Sequence, residues 1–279
     1  MDTIYSILGT ILPLEAYQYT FMKNAFLAIL LLTPLLGLLG TMAVNHQMAF
    51  FSDALGHSAL TGIGLGIILG LRNDLVAMLV FGIIWAILIC VIKQSGSASA
   101  DTVISVFSST SVAAGLLILA RGGKFAKYSS LLIGDILAVT PQDLFWLLLA
   151  LVVTLILWAL LYNPLLLTSV DPWLARSRGI RARLVECVFV VMVAVAVMLS
   201  IRWVGVMLIN ALLILPAAAG RNLARSARQH AAWSVGLALL CGLVGLTLSY
   251  YWDTSAGASI VLVSALCFAI SFAVKKIRG

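Results

Sequence analysis

Charged side chains are scarce in this 279-residue sequence, and that scarcity excludes more than any other feature. Only 10% of the residues are Asp, Glu, Lys or Arg, whereas 63% are hydrophobic. Soluble globular domains carry charge at about a quarter of their positions. The composition therefore excludes an ordinary soluble protein and predicts an all-α polytopic protein that lies in the lipid bilayer.

Two missing motifs narrow the class of function. Gly122-Gly123-Lys124 lacks the spaced glycine and the Ser or Thr that a phosphate-binding loop requires. No His-Glu-x-x-His or equivalent acid–base set occurs, which argues against a membrane-embedded metalloenzyme. The chain is therefore predicted not to be an enzyme, and any ATP-driven activity must take its ATPase from a separate chain.

Cysteine is also rare, and its pattern excludes a thiolate metal cluster. The four cysteines fall in apolar stretches at unrelated spacings, so they are predicted to pack as small side chains without forming disulfides. They are Cys90, Cys187, Cys241 and Cys267.

Long apolar runs dominate what remains, because a bilayer helix requires about 20 mostly apolar residues. Nine candidates cover roughly residues 25–43, 56–71, 74–93, 103–120, 142–162, 184–201, 204–220, 233–251 and 258–274. The second is short and rich in Gly, and the fourth contains Ser and Thr, so either could be broken or partly embedded. The sequence predicts one transmembrane domain over residues 1–279 with eight or nine spans, its residues 1–24 forming an interfacial segment.

The net charge of +7 is concentrated in three places. Basic clusters lie at residues 176–183, 221–228 and 275–278, and two predicted spans separate each cluster from the next. The positive-inside rule makes all three cytoplasmic. We therefore expect a multi-pass protein of the plasma or inner membrane with a cytoplasmic C-terminus, and the placement argues for topology rather than for a nucleic-acid partner.

The most informative polar residues are Asp53 and His57, which are four positions apart and would share one helix face. A carboxylate at the centre of a bilayer costs about 2.5–3.5 kcal/mol on insertion scales and therefore marks a functional site. One carboxylate and one imidazole supply half of a metal site, while a purely structural Asp–His pair is the alternative. His46 and Asp135 are weaker candidates for the metal pathway; Asp135 could instead cap a short helix, and His230 is expected to be solvated.

Two further segments contain local structural signals. In the segment 170–183, Asp171 is a good N-cap, Pro172 a good first helical residue, and Gly179 can end the helix. A short basic helix with an apolar patch at Trp173 follows, which either lies on the membrane surface or docks on a partner. In the span 204–220, Pro216 invites a kink.

Together these segments resemble the permease family of ATP-binding-cassette importers for zinc, manganese and iron. The resemblance rests on Met48-Ala49 through Asp53-Ala54-Leu55, His57 and Gly62, on Asp171-Pro172 with Ala175 and Gly179, and on Val204-Gly205-Val206 through Pro216-Ala217-Ala218 to Arg221. It covers most of the chain in the same order. One departure is visible: family members often carry two arginines before the Met-Ala pair, where this chain has Asn45-His46-Gln47.

The resemblance implies the architecture and the partners. It implies a type II ABC-importer-like permease fold, two permease copies (often identical), two cytoplasmic ATPases and an extracytoplasmic metal-binding protein. Asp53 and His57 become metal ligands, and the segment 170–183 becomes the coupling helix, with Asp171, Pro172, Trp173, Ala175 and Gly179 contacting the ATPase. Gly205 and Pro216 are expected to serve gating or packing. No cofactor is bound permanently, because the metal is transported.

The resulting prediction is a permease subunit of an ATP-driven importer of Zn²⁺ or Mn²⁺, with Fe²⁺ also compatible. A secondary, ion-coupled metal transporter is the alternative, although such coupling usually requires more buried carboxylates than this chain offers. Asp and His ligands suit all three metals, so the ligand types do not choose among them.

Overall fold

The computed structural model describes residues 19–96, 98–123, 127–128 and 134–278. Within these residues the chain forms helices and turns without a β-strand. The helices are α1 (Thr20–Asn45), α2 (Phe51–Ile68), α3 (Asp74–Gln94), α4 (Ala100–Arg121), α5 (Pro141–Val170), α6 (Pro172–Ser177), α7 (Ala182–Leu223), α8 (Ala227–Tyr251) and α9 (Ala256–Arg278), with a 3₁₀ turn at Ile136–Ala138.

Seven of the described helices are long and apolar enough to cross a membrane. One of them, α7, has 42 residues and contains a break at Gly205, whose φ of 80° and ψ of 164° are open essentially to glycine alone. Its 42 residues are about twice the number that one bilayer crossing requires. It therefore contains both predicted spans, 184–201 and 204–220, and α2 is a further 18-residue helix.

Short polar side chains fix where the helices begin. Asn73 accepts a hydrogen bond from the backbone N–H of Leu75, Ser99 from that of Thr102, and Ser226 from that of Gln229. Each satisfies an N–H that the first helical turn leaves without a partner. Residues 1–18 of the predicted interfacial segment 1–24 lie outside the described residues. The rest of that segment overlaps α1, which begins at Thr20.

The helices form two compact units. The first contains the described residues before Met42, those from 134 to 153, and those from Trp203 onward. The indole N–H of Trp203 donates to Asp143 Oδ1 at 2.6 Å, and Asn24 Nδ2 donates to the carbonyl of Val139 at 3.1 Å. Close helix approach needs glycine here, because a Cβ at Gly245 would lie 2.5 Å from the Cα of Ile260.

The second unit combines the chain that begins at Met42 with Thr154–Arg202, and α2 lies inside it. Helix α2 packs against both α3 and α4. A Cβ at Gly62 would lie 3.0 Å from Phe81, and one at Gly115 would lie 2.9 Å from Thr61, so both glycines allow close packing. The hydroxyl of Thr61 also donates to the carbonyl of Ser111, which ties α2 to α4.

Apolar side chains remain exposed on the outer helices, as a membrane protein requires. Only 17% of the most apolar part of α5 is buried, whereas 67% of the corresponding part of α1 is buried. Phe145, Trp146, Leu149 and Val153 of α5 are all exposed. In water such a surface would be unfavourable, which agrees with a chain that lies in a membrane.

Candidate metal site

Helix α2 is buried along most of its length, and its exposed positions include both predicted ligands. Thirteen of its eighteen residues are buried, among them Ser52, Ala54, Leu55, Gly56 and Ser58. The side chains of Asp53 and His57 interrupt this run, with 43% and 30% of their surface exposed. The sequence prediction that both share one helix face is therefore confirmed as geometry.

The two ligand atoms lie close enough to bind one ion. His57 Nε2 and Asp53 Oδ1 are 3.6 Å apart. Two ligands on a tetrahedral Zn²⁺, with bonds of about 2.0–2.1 Å, would be about 3.4 Å apart. A metal ion between the side chains would thus require little movement of either, because both already stand on the same helix.

The described part of the chain offers this pair without a larger set of metal-binding side chains around it. Among the residues that the structure describes, no group of three or more His, Cys, Asp and Glu side chains could hold a metal ion. Zinc usually takes four ligands, and manganese takes more. Asp53 and His57 would offer two ligands, which is fewer than either ion usually takes.

The predicted coupling segment has the local structure that its sequence indicates. Asp171 Oδ1 accepts from the N–H groups of Trp173 at 2.9 Å and Leu174 at 3.1 Å, with Pro172 as the first helical residue. Gly179 ends the turn with a φ of 76°, which permits the N–H of Ile180 to reach the carbonyl of Ala175.

The two sides of α6 differ in exposure. Trp173 is 77% exposed and lies under the guanidinium of Arg176, whose carbon is 5.2 Å from the ring centroid. Ala175 is fully buried against its own chain. The exposed side at Trp173 is thus available to a partner, while Ala175 holds the helix in place.

The other polar candidates have partners within the chain. Asp135 Oδ1 accepts from the N–H of Leu137 at 3.0 Å and caps the 3₁₀ turn, as one of the two interpretations of the sequence predicted. The prediction that His230 is solvated was wrong. His230 lies on the first turn of α8, is buried, and its Nε2–H donates to the carbonyl of Ala217 at 2.9 Å.

His46 lies in the turn between α1 and α2, so it precedes the helix that contains Asp53 and His57. Its Nε2–H donates to the carbonyl of Leu165 at 3.2 Å. Burial lowers the pKa of the His46 imidazole, Lys93 acts in the same direction, and Glu186 and the hydrogen bond to Leu165 oppose it. The ring is therefore neutral near pH 7, which suits a single donated hydrogen bond.

Sequence reasoning missed a contact between two cysteines. All four cysteines are free, as predicted, but Cys90 Sγ of α3 lies 2.9 Å from Cys187 Sγ of α7. Nothing in their spacing along the chain indicates this contact.

Pro216 lies within α7 without ending the helix, and Gly205 marks the break described above.

Comparison with known proteins identifies the family. The model of the ABC 3 transport family matches residues 18–275. The chain is 34% identical to the manganese import system permease protein ScaB of Streptococcus parasanguinis. The match extends over 256 residues, which are 91% of each chain. It is 33% identical over 235 residues to the high-affinity zinc uptake system membrane protein ZnuB of Haemophilus influenzae, over 84% of this chain and 89% of that one.

A solved structure gives the same result for the fold. PsaBC from Streptococcus pneumoniae, in complex with an Fab, superposes with a TM-score of 0.80 and 29% sequence identity over 98% of this chain and 95% of that chain. The all-helical permease fold predicted from the sequence is thereby confirmed. With a family match over nearly the whole length, this chain belongs to the ABC 3 transport family.

Proposed function

We propose that this chain is the membrane-spanning permease subunit of an ATP-driven importer of divalent transition-metal ions, with Mn²⁺ and Zn²⁺ as the first candidates. The observation that carries the proposal is the exposed Asp53–His57 pair on an otherwise buried helix. The family match and the names of the manganese and zinc relatives support it.

Two copies of the chain complete the site in this proposal. A two-fold axis beside α2 would bring together two carboxylates and two neutral imidazoles, which gives the four ligands that zinc prefers. The two carboxylates together carry a charge of −2, which balances the +2 charge of the ion. The occupied site therefore leaves no net charge in a low-dielectric pore. The ion passes between the copies at the dimer interface.

Energy for transport comes from a separate pair of ATPases that dock at α6. The positive-inside rule supports a cytoplasmic position for this helix, because exposed arginines lie at positions 176, 178, 181 and 183. The same rule places the C-terminal basic cluster in the cytoplasm. The exposed indole of Trp173 offers an apolar anchor of the kind that dominates protein interfaces. An extracytoplasmic metal-binding protein delivers the ion to the opposite face.

Reconstituted vesicles test this function against the ion-coupled alternative. Purified permease with its ATPase is placed in liposomes, and the metal-binding protein is added on the face from which it delivers the ion. Uptake of Mn²⁺ and Zn²⁺ is measured with ATP, with ADP, and with an imposed proton gradient. We expect uptake with ATP and none with the gradient alone. Uptake that follows the proton gradient in the absence of any ATPase would overturn the proposal.

A further inference from the structure

A partly buried polar cluster in the second unit, which we call the His46 cluster, consists of His46, Lys93, Gln94 and Glu186. Lys93 Nζ donates to Glu186 Oε1 at 2.6 Å and to the backbone carbonyl of His46 at 3.3 Å. The side chains of Lys93 and Glu186 are each only 17% exposed. The ion pair therefore fastens the end of α3 and the start of α7 to the turn between α1 and α2.

Gln94 strengthens the same junction. Its Nε2 donates to Glu186 Oε2 at 3.2 Å and to the backbone carbonyl of Arg183 at 3.1 Å. Both oxygens of the Glu186 carboxylate are thus engaged by α3. Because the charge is partly buried and hydrogen-bonded on both sides, separating these segments would be costly.

The ring of His46 contacts the chain on both sides of α6. Its Nε2–H bonds to the carbonyl of Leu165, which precedes α6 on α5. Its face stacks on Phe189, which follows α6 on α7, with 5.9 Å between centroids and an interplanar angle of 30°. His46 therefore contacts both helices that flank the short helix α6 in the sequence, α5 and α7.

A tight turn links His46 to the helix of the candidate ligands. The N–H of Met48 donates to the carbonyl of Ala43 at 2.8 Å, Gln47 takes a φ of 56°, and the N–H of Phe51 donates to the carbonyl of Met48 at 3.1 Å. Helix α2 begins at Phe51, and Asp53 lies in its first turn. Backbone hydrogen bonds therefore hold the short segment between the His46 cluster and Asp53.

We propose that His46, Lys93 and Glu186 are positioning residues that transmit movement of the coupling segment 170–183 to α2 and hence to Asp53 and His57. The inference rests on the proposed function. The path is contiguous: α6, the start of α7, the Lys93–Glu186 pair, the carbonyl of His46 and the turn into α2. Hydrogen-bonded and packed elements of this kind are able to carry coupling between distant sites, and the experiment below measures whether these do. In this account His46 acts through α2 without binding the ion.

The test measures metal uptake and ATP hydrolysis in the same vesicles, which contain the full permease–ATPase complex. Lys93→Met and Glu186→Leu are each expected to lower the Mn²⁺ ions moved per ATP at least fivefold, while the ATPase still co-purifies. Arg121→Gln is the matched control, because its exposed side chain lies at the end of α4, outside both the His46 cluster and the segment 170–183. Its ratio should equal that of the wild type.

The double variant Lys93→Met/Glu186→Leu separates transmission from simple stabilisation. It replaces the ion pair by apolar side chains, so it should recover thermal stability without recovering the ratio. His46→Gln, which keeps an N–H donor for Leu165, should retain the ratio, whereas His46→Leu should lose it. A metal-ligand role for His46 would make both His46 variants fail.

Besides failure of both His46 variants, two results would overturn the inference. One is an unchanged ratio in Lys93→Met with normal wild-type uptake, which leaves the proposed function intact. The other is a ratio that returns together with stability in the double variant. Wild-type vesicles that take up no metal with ATP would instead overturn the proposed function and this inference with it.

Discussion

Two polar groups in the second unit are built in opposite ways. The Asp53–His57 pair stands half exposed on one helix, with its ligand atoms 3.6 Å apart. Lys93 and Glu186 join two helices at 2.6 Å, are mostly buried, and share further hydrogen bonds with Gln94 and His46. The first pair is accessible to something from outside its unit, whereas the second is closed.

The difference indicates how an apolar chain divides its few polar residues between binding and mechanics. A buried ion pair is tolerated when its hydrogen bonds are satisfied, and it then holds segments together. A carboxylate and an imidazole that stay partly exposed on one face of an apolar helix are the pair that we propose binds a ligand. Accessibility, rather than residue type, therefore separates the candidate ligands from the positioning residues.

The largest expected effect comes from the exposed pair. Asp53→Asn or His57→Gln should lower metal uptake by about 100-fold or more, since loss of even an outer-shell partner costs 10–100-fold in affinity. The thermal unfolding temperature should hardly change, because both side chains are partly exposed. Asp101→Asn, another carboxylate in the first turn of a helix, should transport normally. Uptake within twofold of the wild type in both ligand variants would break the comparison.

The buried pair should show the reverse pattern in stability. Lys93→Met leaves Glu186 as an uncompensated charge and should lower the free energy of unfolding by about 2–3 kcal/mol, at the low end for buried pairs because some exposure remains. Thermal unfolding in detergent measures this. Arg183→Gln should unfold like the wild type, and an equal loss in both variants would show that the pair has no special role.

Trp173 should affect partner binding alone. Trp173→Ala should weaken ATPase binding about tenfold, because a truncated interface tryptophan typically costs more than 1 kcal/mol. Its 77% exposure implies little effect on folding. Trp252→Ala, which removes a tryptophan that is 65% exposed at the end of α8, is the control in the same co-purification assay. Equal retention of the ATPase by both variants would remove α6 as the docking site.

The smallest effect concerns the cap of α6. Asp171→Ala removes the acceptor for two backbone N–H groups and should destabilise the helix by about 1 kcal/mol. Hydrogen exchange at Trp173 and Leu174 should accelerate roughly fivefold, and Asp171→Ser should restore most of the protection. Unchanged exchange in Asp171→Ala would show that packing of Ala175 alone holds the helix.

Local features of this chain could be predicted from sequence because their causes are local. Helix bounds follow from apolar runs and caps, so the predicted span 74–93 became Asp74–Gln94. The four-residue spacing placed Asp53 and His57 on one face, and Asp171 with Gly179 delimited α6. Each signal lies within a few residues of the structure that it specifies.

Pairings between distant residues could not be predicted. Lys93 meets Glu186, and Cys90 meets Cys187, only because α3 packs beside α7, and no periodicity encodes that neighbour relation. His230 was misplaced because its basic surroundings suggested solvent, whereas α8 begins at Ala227 and turns the ring toward the carbonyl of Ala217. Tertiary packing decided each of these cases.

We propose that two copies of α2 hold one metal ion between their Asp53 and His57 side chains. Metal analysis of the purified permease–ATPase complex after equilibration with Mn²⁺, with the permease concentration measured in the same sample, tests it most directly. The claim predicts one ion for every two permease chains and background levels in Asp53→Asn and His57→Gln. One ion per chain, or wild-type metal content in both variants, would contradict it.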